Sequence, residues 1–401
     1  MTGNGAKHHR SGIFYCFHPA AMAQSTFLHN TMRNDLRAIT ANCTLPQTRA
    51  IKDVLLSVMK EGTTIVQHLN VRPHIRKGKQ AERLRRHLEN VDLSKRVEKR
   101  ITKVLPKIKE DTVICYDLSD IAKPAAKEME GLSRVFDGSE RRSTKGYTIH
   151  GVSILNQPIV MELHDAERKT LNQTRLDIVD RIMKKTGTRG IWVWDRGNDD
   201  QKLFSDLAER ELRFVVRLTT KRKVIHKKSG VRVGIADFLP GIYQIVIPAT
   251  GEEYTLVIHQ HHEKLQPIRV LTNIEVTDAT EIVETYLVRW DVENLFKQMK
   301  RKYDLEAIRL LSLRKIRNML ALIQLAVSIS NRSYEATIAE EANELTHAFR
   351  RYCYHHCLYE NRFSFTSFIS TVLPAIPLPP RSASPQLSLL SWREMGKLGV
   401  F

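Results

Sequence analysis

The sequence lacks any apolar run long enough to cross a membrane. A spanning helix needs about 20 consecutive apolar residues, whereas the most apolar stretch, Met319 to Ile329, is shorter and contains a Gln and a Ser. That composition is typical of a buried helix. Residues 1–21 also lack the apolar core of a signal peptide. We interpret them as disordered or as a misassigned start, with translation beginning at Met22, and we expect no membrane partner.

Cysteine is scarce as well. The five cysteines are scattered and odd in number, as is typical of proteins in a reducing compartment. Cys353 and Cys357 flank two histidines and resemble a metal cluster, but no second ligand pair follows at zinc-finger spacing. We therefore favour a structural role for that segment, and we interpret His259 to His262 as a strand end that leads into a polar turn.

Acidic residues are too few to balance the basic ones. The 63 Lys and Arg against 44 Asp and Glu give a net charge of +19, which favours a polyanionic partner. The stretch from Arg72 to Lys109 is the most one-sided, with fourteen Lys and Arg against four acids. Charge runs often form solvated helical surfaces, but an excess of one sign favours phosphate binding here.

No internal repeat occurs, and the pattern of hydrophobic residues changes along the chain. It predicts an α/β protein with a mixed-sheet core in two parts, residues 111–218 and 278–335. A β-rich insertion at 219–277 separates these parts. Helices are predicted on both sides of the core, in a basic region at 22–110 and at 336–373, and a Pro-rich tail follows at 374–401.

The first part of the predicted insertion is strongly basic. No acid occurs from Leu212 to Ala236, whereas eight Lys and Arg do. Charged edge strands protect sheets against aggregation, and that alternative stays open. We favour a second contact surface for a nucleic acid, formed by Arg217, Lys221, Arg222 and Lys223.

Between Tyr286 and Lys300, ionic and apolar residues separate onto opposite sides of a predicted helix. At about 100° per residue, Tyr286, Arg289, Glu293 and Lys300 fall within an arc of roughly 60°, with Lys297 beside them. The opposite side is apolar and must pack; it carries Val288, Val292, Leu295, Phe296 and Met299. A single carboxylate among cations suits a site that holds a metal ion and phosphates.

Two more acids follow predicted buried strands. Asp117 ends the strand from Asp111, and Asp195 ends the strand from Gly190. Acids in this position emerge at the carboxyl edge of a sheet, where α/β proteins place ligands and catalytic groups. Such acids often cap the next turn instead, and Asp120 is close enough to Asp117 to replace it as the functional residue.

Three carboxylates in one cleft repel one another unless a cation neutralises them. Oxygen ligands without Cys or closely spaced His favour Mg²⁺, with Mn²⁺ as a substitute. Two such ions, about 3.5–4 Å apart, activate an attacking water or hydroxyl and stabilise the leaving oxygen in phosphodiester chemistry. Three acids brought together in this way would therefore suit a two-ion site.

Three motifs together resemble a known family. They are the Tyr286-x2-Arg289-x3-Glu293-x6-Lys300 spacing, Asp195-Arg-Gly, and Asp117 followed by Ser119, Asp120 and Lys123-Pro124. They resemble the insertion-sequence transposases of the family-four type, a branch of the DDE transposases, over roughly residues 40–335.

The resemblance implies an RNase H-like catalytic core interrupted by a β insertion. It implies that Asp117, Asp195 and Glu293 bind metal, with Asp117 bridging both ions, and that Tyr286, Arg289 and Lys300 contact DNA phosphates near the transposon end. It further implies a prokaryotic, nucleoid-associated protein that acts as a homodimer on double-stranded DNA, at terminal inverted repeats and at a target. The insertion has no Trp, so the hairpin intermediate of studied relatives does not carry over. Its aromatic residues include Phe238, Tyr243 and Tyr254.

Two alternative functions stay open. A decayed or domesticated transposase would bind DNA without catalysis, although all three acids and the Tyr-Arg-Glu-Lys set are present. A metal-dependent nuclease would cut DNA without strand transfer. For Trp290 we predict packing between helix and sheet rather than contact with DNA.

Overall fold

The computed structural model describes residues 19–69, 75–137, 140–260 and 266–339. Residues 1–18 and 340–401 lie outside the described residues; they include most of the predicted regions 1–21 and 336–373, the whole predicted tail 374–401, and Cys353 and Cys357. His261 lies outside them as well. Among the described helices, none combines the length and the apolar character needed to cross a membrane.

Four helices form the N-terminal region: α1 (Pro19–Ile39), α2 (Leu45–Glu61), α3 (Lys77–Glu89) and α4 (Ser94–Val104). Local signals define α2 well. Thr44 and Gln47 form a reciprocal capping box at its start, and Gly62 ends it with φ of 62°, a left-handed conformation that glycine adopts without strain. The described residues between 19 and 104 are thus largely helical, and the DNA-binding role of the region 22–110 stays a prediction.

The core alternates strands and helices along the chain. Its strands are β1 (Val113–Ala122), β2 (Ser133–Asp137), β3 (Arg142–Ile154), β4 (Gln157–Leu163), β5 (Ile191–Trp194) and β6 (Arg213–Arg217). Its helices are α5 (Leu171–Thr186) and α6 (Gln201–Ala208). β1, β5 and β6 pair in parallel, whereas β1 and β3 form an antiparallel pair. The predicted α/β class with a mixed sheet is confirmed.

The predicted insertion is rich in strands, and these strands continue the core sheet. They are β7 (Lys223–His226), β8 (Arg232–Gly234), β9 (Gly241–Val246), β10 (Glu253–His259) and β11 (Ile268–Thr272). β11 pairs antiparallel with β6, so the sheet runs in the order β2-β3-β1-β5-β6-β11-β10-β9-β7-β8, with β4 beside β3. The insertion is thus connected to the core by backbone hydrogen bonds as well as by its two ends.

Helices cover the two faces of this sheet. α7 (Ala279–Leu287) packs on one face in an apolar cluster made of Val193, Val215, Val257, Val270, Ile282, Val283 and Tyr286. Side chains alternate along a strand, so Trp194 and Phe214 lie on the other face, against Arg175 of α5 and Phe204 of α6. The long helix α9 (Leu313–Ala339) joins β4 to the N-terminal helices.

The single helix predicted from Tyr286 to Lys300 is wrong. The chain forms α7 and then α8 (Trp290–Lys302), with a turn at Val288 and Arg289. The apolar residues of the two helices pack against different elements, because α7 contacts β5, β6, β10 and β11 whereas α8 contacts β1 and β3. Sequence periodicity alone did not reveal that the two segments pack against different strands.

Candidate active site

Asp117 lies where the parallel partner of its strand ends. We predicted that Asp117 ends its strand, and this is wrong, because β1 continues to Ala122 as the antiparallel partner of β3. The parallel pairing with β5, however, stops at Tyr116 and Trp194. Asp117 is therefore the first residue of β1 that has no parallel partner in β5. Its position at the carboxyl edge of the parallel strands agrees with the prediction.

Asp195 directly follows β5 at the same edge. One of its carboxylate oxygens accepts hydrogen bonds from the backbone N–H of Gly197 at 2.9 Å and from the side-chain amide of Asn198 at 2.8 Å. These bonds cap a short 3₁₀ turn and hold the carboxylate in place. The capping role considered above is thus present, and it leaves the other oxygen without a hydrogen bond from these two groups.

Glu293 comes to this edge on the first turn of α8, which packs against β1 and β3. A glycine makes that packing close. Gly151 of β3 is the register partner of Asp117, and a Cβ atom placed there would lie 2.4 Å from the ring of Phe296 on α8. Glycine within a strand often marks such a close approach. Gly151 therefore sets the distance between the strand of Asp117 and the helix of Glu293.

Arg289 joins the two carboxylates. Its guanidinium lies 3.2 Å from Oδ2 of Asp117 and 2.6 Å from Oε1 of Glu293, and its side chain is only 7% exposed. Burial lowers the pKa of Arg289, but Tyr286, Glu293 and Asp117 together raise that pKa above its ordinary value. Arg289 thus stays charged and acts as an internal counter-ion.

Tyr286 is buried, with 1% of its surface exposed. Its hydroxyl accepts a hydrogen bond from Nε of Arg289 at 3.2 Å, and the guanidinium groups of Arg289 and Arg217 lie 5.6 Å and 5.9 Å from its ring centre. Tyr286 therefore supports two arginines. We placed it on a face open to DNA, and the structure instead turns its ring into the protein.

Arg217 belongs to the same edge as the two aspartates. β5 and β6 pair in parallel up to Trp194 and Val216, so Arg217 follows in register beside Asp195. It is partly exposed. Its only described ionic or aromatic contact is the ring of Tyr286, which leaves its guanidinium able to bind a phosphate.

The three acids influence one another. Burial and the negative charges of Asp195 and Glu293 raise the pKa of Asp117 to about 7, although Arg289 opposes the rise. One guanidinium is therefore too little positive charge for the cleft. The donor set of three carboxylates has the hard oxygen atoms that Mg²⁺ and Mn²⁺ prefer, and a divalent ion would relieve the repulsion.

The carboxylates are not assembled around a common point. Among the residues the structure describes, no three His, Cys, Asp or Glu side chains are grouped closely enough to hold a metal ion. The chemistry of the donor set fits a divalent cation, whereas the position between Asp117 and Glu293 belongs to the Arg289 guanidinium.

Asp120 is directed away from this cleft. It is three residues from Asp117 on the same strand, and an odd separation places two side chains on opposite faces. Its carboxylate accepts a hydrogen bond from the hydroxyl of Thr148 at 2.6 Å. Asp120 therefore does not share the face that carries Asp117.

The cations of α8 differ in their surroundings. Lys297 is exposed, lies 4.0 Å from Glu293 and sits 5.5 Å from the ring centre of Trp290. Trp290 is 43% exposed, so the predicted packing of Trp290 between helix and sheet is wrong. Lys300 is instead bonded within the protein, to the backbone carbonyl of Asp120 at 2.7 Å and to Glu306 at 3.0 Å.

The basic residues at the start of the insertion also differ in whether their charge is accessible or paired. Arg222 forms an ion pair with the buried carboxylate of Asp199 and lies over the ring of Phe204, so it holds the start of the insertion to α6. Lys221 and Lys223 are exposed. Of the basic residues predicted there to contact DNA, these two and Arg217 have accessible charge, whereas the charge of Arg222 is paired.

The N-terminal region presents a further basic surface. Three of its partly buried arginines have protein partners: Arg83 pairs with Asp53, Arg100 pairs with Asp35, and Arg96 donates to the carbonyl of Ile39. Nine other cations in and around α3 and α4 are exposed; they are Arg76, Lys77, Lys79, Arg86, Lys95, Lys99, Lys103, Lys107 and Lys109. The one-signed charge noted in the sequence is therefore a surface feature.

Sequence reasoning missed one residue that shapes the cleft and the role of another. The missed residue is Gly151, whose position within a predicted strand could have indicated a close approach of another element. The missed role is that of Arg289 as the bridge between Asp117 and Glu293. No local signal could show it, because Asp117 is 172 residues away in the chain.

Comparison with known proteins gives the chain a family. No curated protein sequence matches it significantly. Among solved structures it is similar to a piggyBac transposase synaptic complex with hairpin DNA, at 11% identity and a TM-score of 0.43, over 90% of this chain and 77% of that chain. This overlap is too loose to support an argument about mechanism. The transposase DDE domain family matches residues 108–329, more than half of the sequence and the whole core described above, and the chain therefore belongs to that family.

Proposed function

We propose that this chain is the transposase of an insertion sequence. It would bind the terminal inverted repeats of its element, cleave the DNA in a metal-dependent reaction and join the freed 3′-hydroxyls to a target. The observation that carries the proposal is the placement of Asp117, Asp195 and Glu293 along one sheet edge, where Arg289 joins Asp117 and Glu293. Membership of the transposase DDE domain family supports the same reaction class.

In this proposal Asp117, Asp195 and Glu293 would hold Mg²⁺ or Mn²⁺, as two ions. The bound ions would supply an activated oxygen nucleophile and stabilisation of the leaving oxygen. Asp195 is suited to the task because Gly197 and Asn198 fix one of its oxygens. Asp117 is suited because its burial and its neighbours disfavour its charge until a cation arrives.

The accessible cations around the cleft would position the DNA. Arg217 lies beside Asp195, and Lys297 lies on the first turns of the Glu293 helix. Lys221 and Lys223 extend the positive surface into the insertion, and the exposed lysines of α3 and α4 form a second surface. Contacts of this kind bind phosphates without reading sequence. The proposed active form on DNA is a homodimer.

The products of the reaction test this function. The purified chain is incubated with Mg²⁺, duplex DNA that carries the ends of its own element, and a supercoiled target plasmid. We expect 3′-end cleavage and also joined products in which end DNA is linked to the plasmid. A nuclease would give cleavage without joined products, and a catalytically inactive relative would bind the end DNA without cutting it. Either result would refute the proposal.

A further inference from the structure

The guanidinium of Arg289 is held on three sides. Three of its nitrogens are used separately: one contacts Asp117 at 3.2 Å, one contacts Glu293 at 2.6 Å, and Nε donates to the hydroxyl of Tyr286 at 3.2 Å. Arg289 is also buried. Three of the five N–H donors of Arg289 are thus used inside the protein, and its burial limits the access of a DNA phosphate to the other two.

The same position suits a divalent ion. Asp117 and Glu293 come from β1 and α8, elements that the chain brings together only by folding, and the positive group between them is Arg289. A metal ion bound by both carboxylates would need the oxygen atoms that the guanidinium now contacts, Oδ2 of Asp117 and Oε1 of Glu293. The guanidinium and a metal ion therefore compete for the space between these two carboxylates.

We propose that Arg289 is a positioning residue that holds Asp117 and Glu293 together before metal binds, and that a divalent ion displaces it from between them. This inference rests on the proposed function, because it takes the two carboxylates as metal ligands. Tyr286 would keep its contact with the displaced guanidinium, since its ring already lies beside Arg289. Metal binding would then turn an internal counter-ion towards the substrate side.

Manganese binding by the full chain without DNA tests the exchange. Free Mn²⁺ is measured by electron paramagnetic resonance during titration of wild type, Arg289→Gln and Arg289→Lys, and the melting temperature is recorded with and without Mn²⁺. We expect Arg289→Gln to melt lower without metal and to bind Mn²⁺ at least about fivefold more tightly, because one competing unit charge is gone. Its gain in melting temperature on adding Mn²⁺ should exceed that of wild type.

Arg289→Lys provides a second test in case Arg289→Gln fails to fold. Lysine keeps the charge but lacks the planar fork that reaches both carboxylates. We expect Arg289→Lys to bind Mn²⁺ more tightly than wild type, by a smaller factor. If both variants bind Mn²⁺ with wild-type or weaker affinity, Arg289 supports the ligands instead of competing with the ion, and the inference is overturned.

Asp117→Asn separates this inference from the function on which it depends. Loss of Mn²⁺ binding in that variant, with its fold confirmed by circular dichroism, keeps Asp117 as a ligand whatever Arg289 does. If Asp117→Asn binds Mn²⁺ as well as wild type, the proposed metal site itself fails. If Asp117→Asn loses the ion while the Arg289 variants gain no affinity, only the exchange fails.

Discussion

At the residue scale, a buried polar chain lies beneath the cleft on the far face of the sheet. The hydroxyl of Tyr116 is 2.6 Å from Nδ1 of His150, whose Nε2 is 3.4 Å from His164. His164 also contacts the hydroxyl of Thr174 at 3.2 Å, and Arg175 adds a positive charge nearby. Burial, then the charges of His164 and Arg175, lower the pKa of His150 to about 3.

The lowered pKa of His150 predicts that its contribution to stability is lost in acid. Unfolding restores the ordinary pKa of His150, so the unfolded protein takes up a proton below pH 6.5 whereas the folded protein does not until about pH 3. The contribution of His150 is thus complete above pH 6.5 and is lost as the pH falls. We expect the contribution of His150 to the free energy of unfolding to drop by about 2 kcal/mol between pH 6.5 and 5. Urea denaturation must measure it as a difference between wild type and a non-titrating variant, because the raised pKa of Asp117 changes stability in the opposite direction over this range.

His150→Gln is the matched variant for that measurement. Glutamine keeps a polar side chain but does not titrate, so its stability should fall less steeply over the same pH range. Part of the slope should persist, because burial also lowers the pKa of His164. Equal slopes in the variant and in wild type would show that His150 does not carry the effect.

Trp290 leads to a second prediction at this scale. Its ring is 43% exposed beside Glu293 and Lys297, so Trp290→Ala should cost less than about 1 kcal/mol of stability. The fully packed Trp192 is the control, and its change to Ala should cost about 3–5 kcal/mol. Because exposed aromatic rings stack on unpaired bases, Trp290→Ala should also weaken binding of single-stranded DNA, by about 1–3 kcal/mol. Similar stability losses in both variants would contradict this view of Trp290.

At the element scale, the function depends on how closely α8 approaches β1 and β3. Gly151 allows the contact, and Phe296 fills it. Both residues are adjacent to the chemistry, since Gly151 pairs with Asp117 and Phe296 is one helical turn after Glu293. The separation of the two carboxylates is therefore set by one missing side chain.

A double-variant cycle tests this spacing. Gly151→Ala should destabilise the protein by about 1–3 kcal/mol through overpacking and should slow DNA cleavage, because the helix of Glu293 moves away from Asp117. Phe296→Leu should restore part of both losses in the Gly151→Ala background. Additive losses in the double variant, as expected for residues that do not touch, would contradict the account.

The elements differ in how well the sequence predicted them. The strand β5 and the position of Asp195 at its end were predicted correctly, because a short apolar run and the acid after it are local signals. The full length of β1 was missed because residues beyond Asp117 are ordered by β3, a partner about thirty residues later. The turn at Val288 was missed because it depends on which strands α7 and α8 meet. Arg222 looked like a surface cation because its partner, Asp199, lies outside the basic segment.

At the scale of the whole molecule, the N-terminal helices and the core are joined by buried polar contacts. Asp35 of α1 has a fully buried side chain and pairs with Arg100 of α4 at 2.6 Å and with Arg332 of α9. Asn318 of α9 donates to the carbonyls of Leu88 and Val91 at 2.8 Å and 2.9 Å. We therefore expect the basic N-terminal surface and the cleft to keep a constant separation when DNA binds.

The ion pairs of Asp35 lead to a prediction about what holds the N-terminal helices to α9. Asp35→Asn leaves two arginines without their shared carboxylate, and breaking a buried ion pair in this way costs about 3–5 kcal/mol. Asp177→Asn is the control, because Asp177 pairs with Lys169 in solvent and its loss should leave the free energy of unfolding nearly unchanged. Chemical denaturation measures both. Equal, small losses would mean that Asp35 does not hold the N-terminal helices to α9.

The central claim is that three carboxylates at one sheet edge form a single metal-dependent DNA site. The most direct test is the rate of end-DNA cleavage in Mg²⁺ by Asp117→Asn, Asp195→Asn, Glu293→Gln and Asp120→Asn, each shown to be folded. The account predicts that the first three variants lose at least roughly a thousandfold in rate, while Asp120→Asn, on the opposite face of the strand, cleaves close to the wild-type rate. Wild-type cleavage by any of the first three variants would contradict it.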